Sequence, residues 1–107
     1  MLVVTTPSIP GYRIVRVVGI VSGMSVRTRG LLGRLGASIE AVVGGRGEAY
    51  AAELRKAREE ALGKLAEEAQ RLGANAVVGV DFETAEILEG FVVVMATGTA
   101  VVVEKEG

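Results

Sequence analysis

A two-layer α+β domain is what this sequence predicts, and three patterns carry that expectation. From Glu48 to Leu72, apolar residues recur at three- and four-residue steps (Tyr50, Leu54, Ala57, Ala61, Leu65, Ala69, Leu72), as in an amphipathic helix with one buried stripe. After it, two valine-rich runs, Ala76–Leu88 and Phe91–Glu104, flank Glu89-Gly90, a tight turn that implies an antiparallel hairpin. Before it, Tyr12–Gly23 is dominated by β-branched residues and reads as a further strand. With 107 residues the chain is a single domain, 1–107. A chain of that size can bury roughly two-thirds of its unfolded surface.

Taken in order, Val3–Thr6 is a candidate short strand, ended by Pro7, Pro10 and Gly11, which cannot continue it. In Tyr12–Gly23 alternation holds only at the start; beyond Arg16, Val18 and Ile20 fall on one face and Val17 and Val21 on the other. Gly30–Val43 places Leu31, Leu35, Ile39 and Val42 at helical spacing. Its glycines, Gly30, Gly33 and Gly36, each cost about 1 kcal/mol relative to alanine. Both a helix with a close-approach face and a frayed segment fit that stretch. In the Glu48–Leu72 helix, Glu60–Lys64 and Glu67–Arg71 are i,i+4 pairs in the favourable order. Gly73 stands where a left-handed cap belongs. The stripe is rich in alanine, so this helix should pack close to its sheet.

In Ala76–Leu88, simple alternation sets Ala76, Val78, Val80 and Phe82 against Val77, Asp81 and Glu83. In Phe91–Glu104 it sets Val92, Val94 and Val102 against Val93, Met95, Val101 and Val103. Both strands are apolar on two faces, and one helical layer covers one face only. Each valine left in water forfeits roughly 1.5–3 kcal/mol of burial. The second face is therefore expected to lie against other copies of the chain; cover by the Gly30–Val43 helix is the alternative.

Charge and composition narrow the function more by exclusion. The net charge is −1, giving no global attraction to nucleic acid or anionic membrane. Between Arg27 and Arg46 four arginines (Arg27, Arg29, Arg34, Arg46) meet a single acid, Glu40, which is either a solvated basic face or an anion-binding patch. With no cysteine and no histidine, disulfides, Ser-His-Asp and Cys-His arrangements are impossible. The N-terminus lacks the pattern of a signal peptide, no 18-residue apolar run exists, and cytoplasmic residence is the default expectation. The basic cluster lacks interleaved aromatics, so nucleic acid is not an expected partner.

Three constellations could carry chemistry. Gly44-Gly45-Arg46-Gly47 immediately before a helix either presents backbone N–H groups to an anion or simply reverses the chain. Tyr50, Arg55 and Arg58 lie near the start of the helix, where the arginines form a solvated edge or a clamp for carboxylate or phosphate. Asp81 and Glu83 share a strand face, where they could bind a hard cation, shuttle a proton, or pair with Arg13 or Arg16 on a neighbouring strand.

Several segments together make the chain resemble the YbjQ-like family. They are Thr5-Thr6-Pro7, Gly19 to Gly23, Val43-Gly44-Gly45-Arg46, and Tyr50 followed by Glu53-Leu54-Arg55-Lys56-Ala57-Arg58-Glu59 and Ala61. Leu72-Gly73-Ala74-Asn75-Ala76-Val77-Val78-Gly79-Val80-Asp81 and Gly98-Thr99-Ala100-Val101 complete the match, which spans nearly the whole chain. The resemblance implies a two-layer β-α-α-β-β subunit with an antiparallel sheet and helices on one face, similar to the dodecin subunit. It also implies assembly into a ring, usually a pentamer. The family carries a heavy-metal-binding label, but soft and borderline metals want thiolate or imidazole, and here only three methionines and the carboxylates remain. No catalytic set is implied and no cofactor is indicated. The expected protein is a cytoplasmic, homo-oligomeric, non-enzymatic binder of a small anion at a subunit junction lined by Gly44, Gly45, Arg46 and Arg58. The alternatives are a divalent-cation binder using Asp81 and Glu83, and an enzyme with a carboxylate base.

Overall fold

The structure, a computed structural model, describes residues 1–28, 48–88 and 91–107; the side chains of 48–50, 87 and 88 lie outside the described set. Four strands and one helix make up the described chain: β1 (Leu2–Val3), β2 (Tyr12–Thr28), α1 (Glu48–Arg71), β3 (Ala76–Leu88) and β4 (Phe91–Lys105). The sheet order is β1-β3-β4-β2. The hairpin β3–β4 and the pair β2–β4 are antiparallel, but β1 runs parallel to β3, so the sheet is mixed and not antiparallel throughout. The expected strand at Val3–Thr6 is shorter and begins one residue earlier. Past Val3 the backbone still bonds β3, through Val4 N–H to Val77 O, Val80 N–H to Val4 O and Gly79 N–H to Thr6 O. The expected Gly30–Val43 helix and the Glu89-Gly90 turn lie outside the described residues.

Bulges decide which side chains face the helix. In β3, Val78 opposes Thr99 and Asp81 opposes Thr97, so Gly79 and Val80 together face Gly98 alone. Gly79 takes the left-handed conformation (φ 63°), which a side chain would oppose. The extra residue reverses the alternation. Val77, Val80 and Phe82 therefore share the helix side, while Ala76 and Val78 face away, contrary to the simple period-two reading. In β2 the register shifts between Ile14 and Arg16 and again between Val17 and Gly19. Val18 and Val21 consequently both meet the helix-side core, and Val17 and Ile20 stay exposed.

The helix lies on β2 and β4 through Ala57, Ala61, Leu65 and Ala69, all fully buried with Val21, Val94, Ala96 and Ala100. Small residues on both sides allow the backbones to close up. A Cβ at Gly23 would run into the carbonyl oxygen of Ala61 and the amide nitrogen of Leu65. The helix ends in a Schellman turn: Ala74 N–H donates to Ala69 O, Gly73 N–H to Gln70 O, and Gly73 is left-handed at φ 90°. That ending leaves Leu72, the last member of the expected stripe, exposed. Glu60–Lys64 forms at 3.3 Å, whereas Glu67–Arg71 is not among the ion pairs of the described residues.

Opposite the helix, the N-terminal loop folds over one end of the sheet. Ile9, with Val4 and Tyr12 beside it, packs on Ala76, Val78, Val101 and Val103. Asn75 ties this end together. Its side-chain amide donates to Val103 O (3.0 Å) and accepts from Val103 N–H (2.8 Å).

Two glycines should respond in opposite senses. Gly23→Ala forces helix and sheet apart and is expected to cost at least about 1–3 kcal/mol, read as a lower denaturation midpoint. Gly63→Ala, at an exposed helical position with open space around it, is expected to gain about 0.4–1 kcal/mol.

Candidate functional site

The arginines flagged in the helix meet the sheet at a shallow cavity of about 300 Å³, lined by Ala51, Leu54, Arg55, Arg58, Phe82, Thr84 and Val94. Helical spacing sets Arg55 and Arg58 one turn apart on the flank facing β3. Phe82 reaches the same place because the Gly79 bulge keeps it on the helix side. The Arg58 guanidinium lies over the Phe82 ring, 4.6 Å from its centroid. Such a contact is worth about 0.5–1 kcal/mol at an exposed site and holds the guanidinium plane in place. Neither Arg55 nor Arg58 has a carboxylate partner among the described residues. Two unpaired forks thus stand over an apolar floor with the Thr84 side chain at its margin.

Arg27 behaves differently. Its side chain, 16% exposed, donates to Glu53 (2.8 Å), to the buried Ser25 hydroxyl (2.7 Å) and to Glu60 (3.3 Å). It is a strut between β2 and α1 rather than part of an anion patch. The Glu60 carboxyl is held below the ordinary glutamate range, first by its hydrogen bond from Lys64 and then by Arg27. Arg27 was legible only as a charge; the signal missed was Glu53 and Glu60, seven residues apart on one helix face.

Asp81 and Glu83 point away from the helix and are exposed. They do not pair with Arg13 or Arg16, because β4 separates β3 from β2, and Arg13 bonds Glu104 at 3.0 Å instead. Across β4, Asp81 faces Thr97 and Glu83 faces Met95. Among the described residues no group of three or more His, Cys, Asp or Glu comes together. Gly44, Gly45 and Arg46 lie outside the described residues. Tyr50 sits in the first turn of α1, with its side chain outside the described set. No described helix is long and apolar enough to cross a membrane.

With that geometry in view, the comparisons with known proteins are consistent with one another. The YbjQ_1 family model, described as "Putative heavy-metal-binding", matches residues 1–104. A UPF0145 protein of Sulfurisphaera tokodaii is 43% identical over 105 residues, covering 98% of this chain and 92% of that one. A UPF0145 protein of Burkholderia mallei (strain SAVP1) is 40% identical over 106 residues, covering 99% and 96%. Among solved structures, a protein of unknown function from Pediococcus pentosaceus, of the DUF74 family, superposes with a TM-score of 0.64. It is 21% identical and covers 97% of this chain and 98% of its own, a likeness of fold.

The lowered Glu60 carboxyl has a sign that can be tested. Its contribution to stability is fully present above the ordinary glutamate pKa and is lost as pH falls through the lowered folded-state value. Glu60→Gln is therefore expected to flatten the fall of the melting temperature between about pH 5 and pH 3. A fall as steep as that of the unmodified protein would contradict the assignment.

Proposed function

The chain belongs to the YbjQ family, and we propose that this member is a non-enzymatic, homo-oligomeric protein that binds a small organic anion at the Arg55–Arg58 cavity. One observation carries the reading: two guanidiniums without carboxylate partners, one of them fixed on Phe82, face a cavity floored by Leu54 and Val94. Guanidinium forks suit carboxylate or phosphate, and the apolar floor suits a ligand with a hydrocarbon or aromatic body. The proposal extends to Gly44, Gly45, Arg46 and Tyr50, which precede these arginines in sequence at the helix start.

Self-association is supported by the sheet face turned away from α1. Ile14, Val17, Ile20, Met24, Val26 and Phe91 are exposed, Ile20 to 82%. The Cα radius of gyration, 17.1 Å, exceeds the ~13 Å of a compact domain of this length, as for a layer that does not close on itself. The occupant proposed for this face is a second copy of the chain. The sheet ends in two unlike edges, β1 and β2, which suits head-to-tail contacts that close into a ring, a pentamer in this reading. A second reading, a hard divalent cation held by Asp81 and Glu83, is favoured by their position on that same face. Copies meeting there would gather carboxylates from several chains.

Calorimetry with phenyl phosphate and benzoate as probes, combined with native mass spectrometry, tests the first reading. The wild type is expected to bind at least one probe as an oligomer. Arg55→Ala/Arg58→Ala is expected to bind at least tenfold more weakly with an unchanged subunit count. Equal affinity in the variant, or no binding by the wild type, overturns the anion site. A stable monomer at micromolar concentration overturns self-association. For the cation reading, a thermal shift with Mg²⁺, Ca²⁺, Mn²⁺ or Zn²⁺ should vanish in Asp81→Asn; no shift with any of the four rules it out.

A further inference from the structure

A heavy-metal description raises the question of which donors this chain could offer. It has no cysteine and no histidine, so Met1, Met24 and Met95 supply its only sulfur. Two of those three stand opposite each other. Met24 of β2 is the register partner of Met95 of β4, and on its other side Met95 is the register partner of Glu83 of β3. A thioether, a thioether and a carboxylate thus form one row across three adjacent strands.

All three side chains leave the same face of the sheet. Gly23 and Ser25, on either side of Met24, are buried against the helix side. Val94 and Ala96, flanking Met95, belong to the core beneath α1, and Phe82, before Glu83, packs against it. Alternation then directs Met24, Met95 and Glu83 to the opposite face. Directly opposed residues hold their Cβ atoms about 4.5–5.5 Å apart. A methionine side chain has three rotatable bonds, so the two sulfurs can converge on one ion without backbone movement. On one side, the next row on this face is Ala85, Val93 and Val26, which is apolar; on the other it is Asp81, Thr97 and Ser22.

We propose that Met24 and Met95 form a soft-metal site for a monovalent d¹⁰ cation, Cu(I) or Ag(I), with the Glu83 carboxylate as the neighbouring counter-charge. Neutral thioethers select soft monovalent ions, whereas Zn²⁺ asks for thiolate, imidazole or several oxygens that this row lacks. A thioether carries no proton to displace, so uptake persists in mild acid, unlike uptake by thiolate or imidazole sites. The site lies on the face proposed above for self-association, where an ion would sit at or beside the seam between copies. That face is opposite the Arg55–Arg58 cavity, so the anion site and the metal site can fail independently.

The probe is Ag(I), added as nitrate in chloride-free buffer to the full-length protein. After desalting, the wild type is expected to retain about one silver per Met24–Met95 pair by elemental analysis. Met24→Leu/Met95→Leu nearly conserves side-chain volume and is expected to lose at least tenfold in silver affinity. A second readout needs no variant. The three methionine methyl signals of ¹³C-methyl-labelled wild type should divide on silver addition, with Met24 and Met95 shifting and Met1 unmoved. Absence of silver retention, equal retention by a folded double leucine variant, or a shift confined to Met1 overturns the site.

Discussion

The close seating of α1 on the sheet is the constraint from which the remaining geometry follows. Gly23 leaves no room for a Cβ beneath Ala61 and Leu65, and Ala57, Ala61 and Ala69 present only methyl groups to β2 and β4. A helix held this close brings its flanks within side-chain reach of the strands. On one flank Arg27 reaches Glu53 and Glu60; on the other Arg58 reaches Phe82. A larger residue at any of these contacts would lift the helix and weaken both. Structural strut and candidate site therefore depend on the same small residues.

The two arginine environments show how a fold sorts identical chemistry. Arg27 is surrounded by acceptors and largely withdrawn from solvent, and its charge is consumed in joining two elements. Arg55 and Arg58 line a cavity with the Phe82 ring, Thr84 and the aliphatic carbon of Leu54 and Val94, and neither forms an ion pair among the described residues. A guanidinium left without an internal acceptor retains its full capacity for an external one. Partner supply, rather than residue type, separates a structural arginine from a binding one here.

Much of this was legible in the residues. The alanine-leucine stripe from Ala57 to Ala69, the Gly73 cap and the hairpin strands emerge as the hydrophobic pattern indicates, because each depends on local periodicity. What period-two counting cannot reveal is an inserted residue. Simple alternation places Val77 on the face of Asp81, and Val18 on the face opposite Val21, because the bulges at Gly79 and between Val17 and Gly19 leave no mark on it. The parallel seat of β1 and the absence of an Asp81–Arg13 pair depend on strand order, which no window of sequence encodes. Arg55 and Arg58 are identifiable as candidates from sequence, but the stacking of Arg58 on Phe82 requires the helix and strand to be brought together in space.

A strand with valine on both sides, such as β4, pays little hydrophobic penalty for sliding one position past its neighbour, since either placement buries similar carbon. Asn75 removes that ambiguity. Its carboxamide imitates a peptide group, offering one donor and one acceptor to the backbone of a single residue, Val103. Sliding β4 by one residue would break both bonds at once and leave the Asn75 amide misaligned with its neighbours. One polar side chain just beyond the helix terminus thus acts as an index mark for the alignment of a sheet whose grease is nearly uniform.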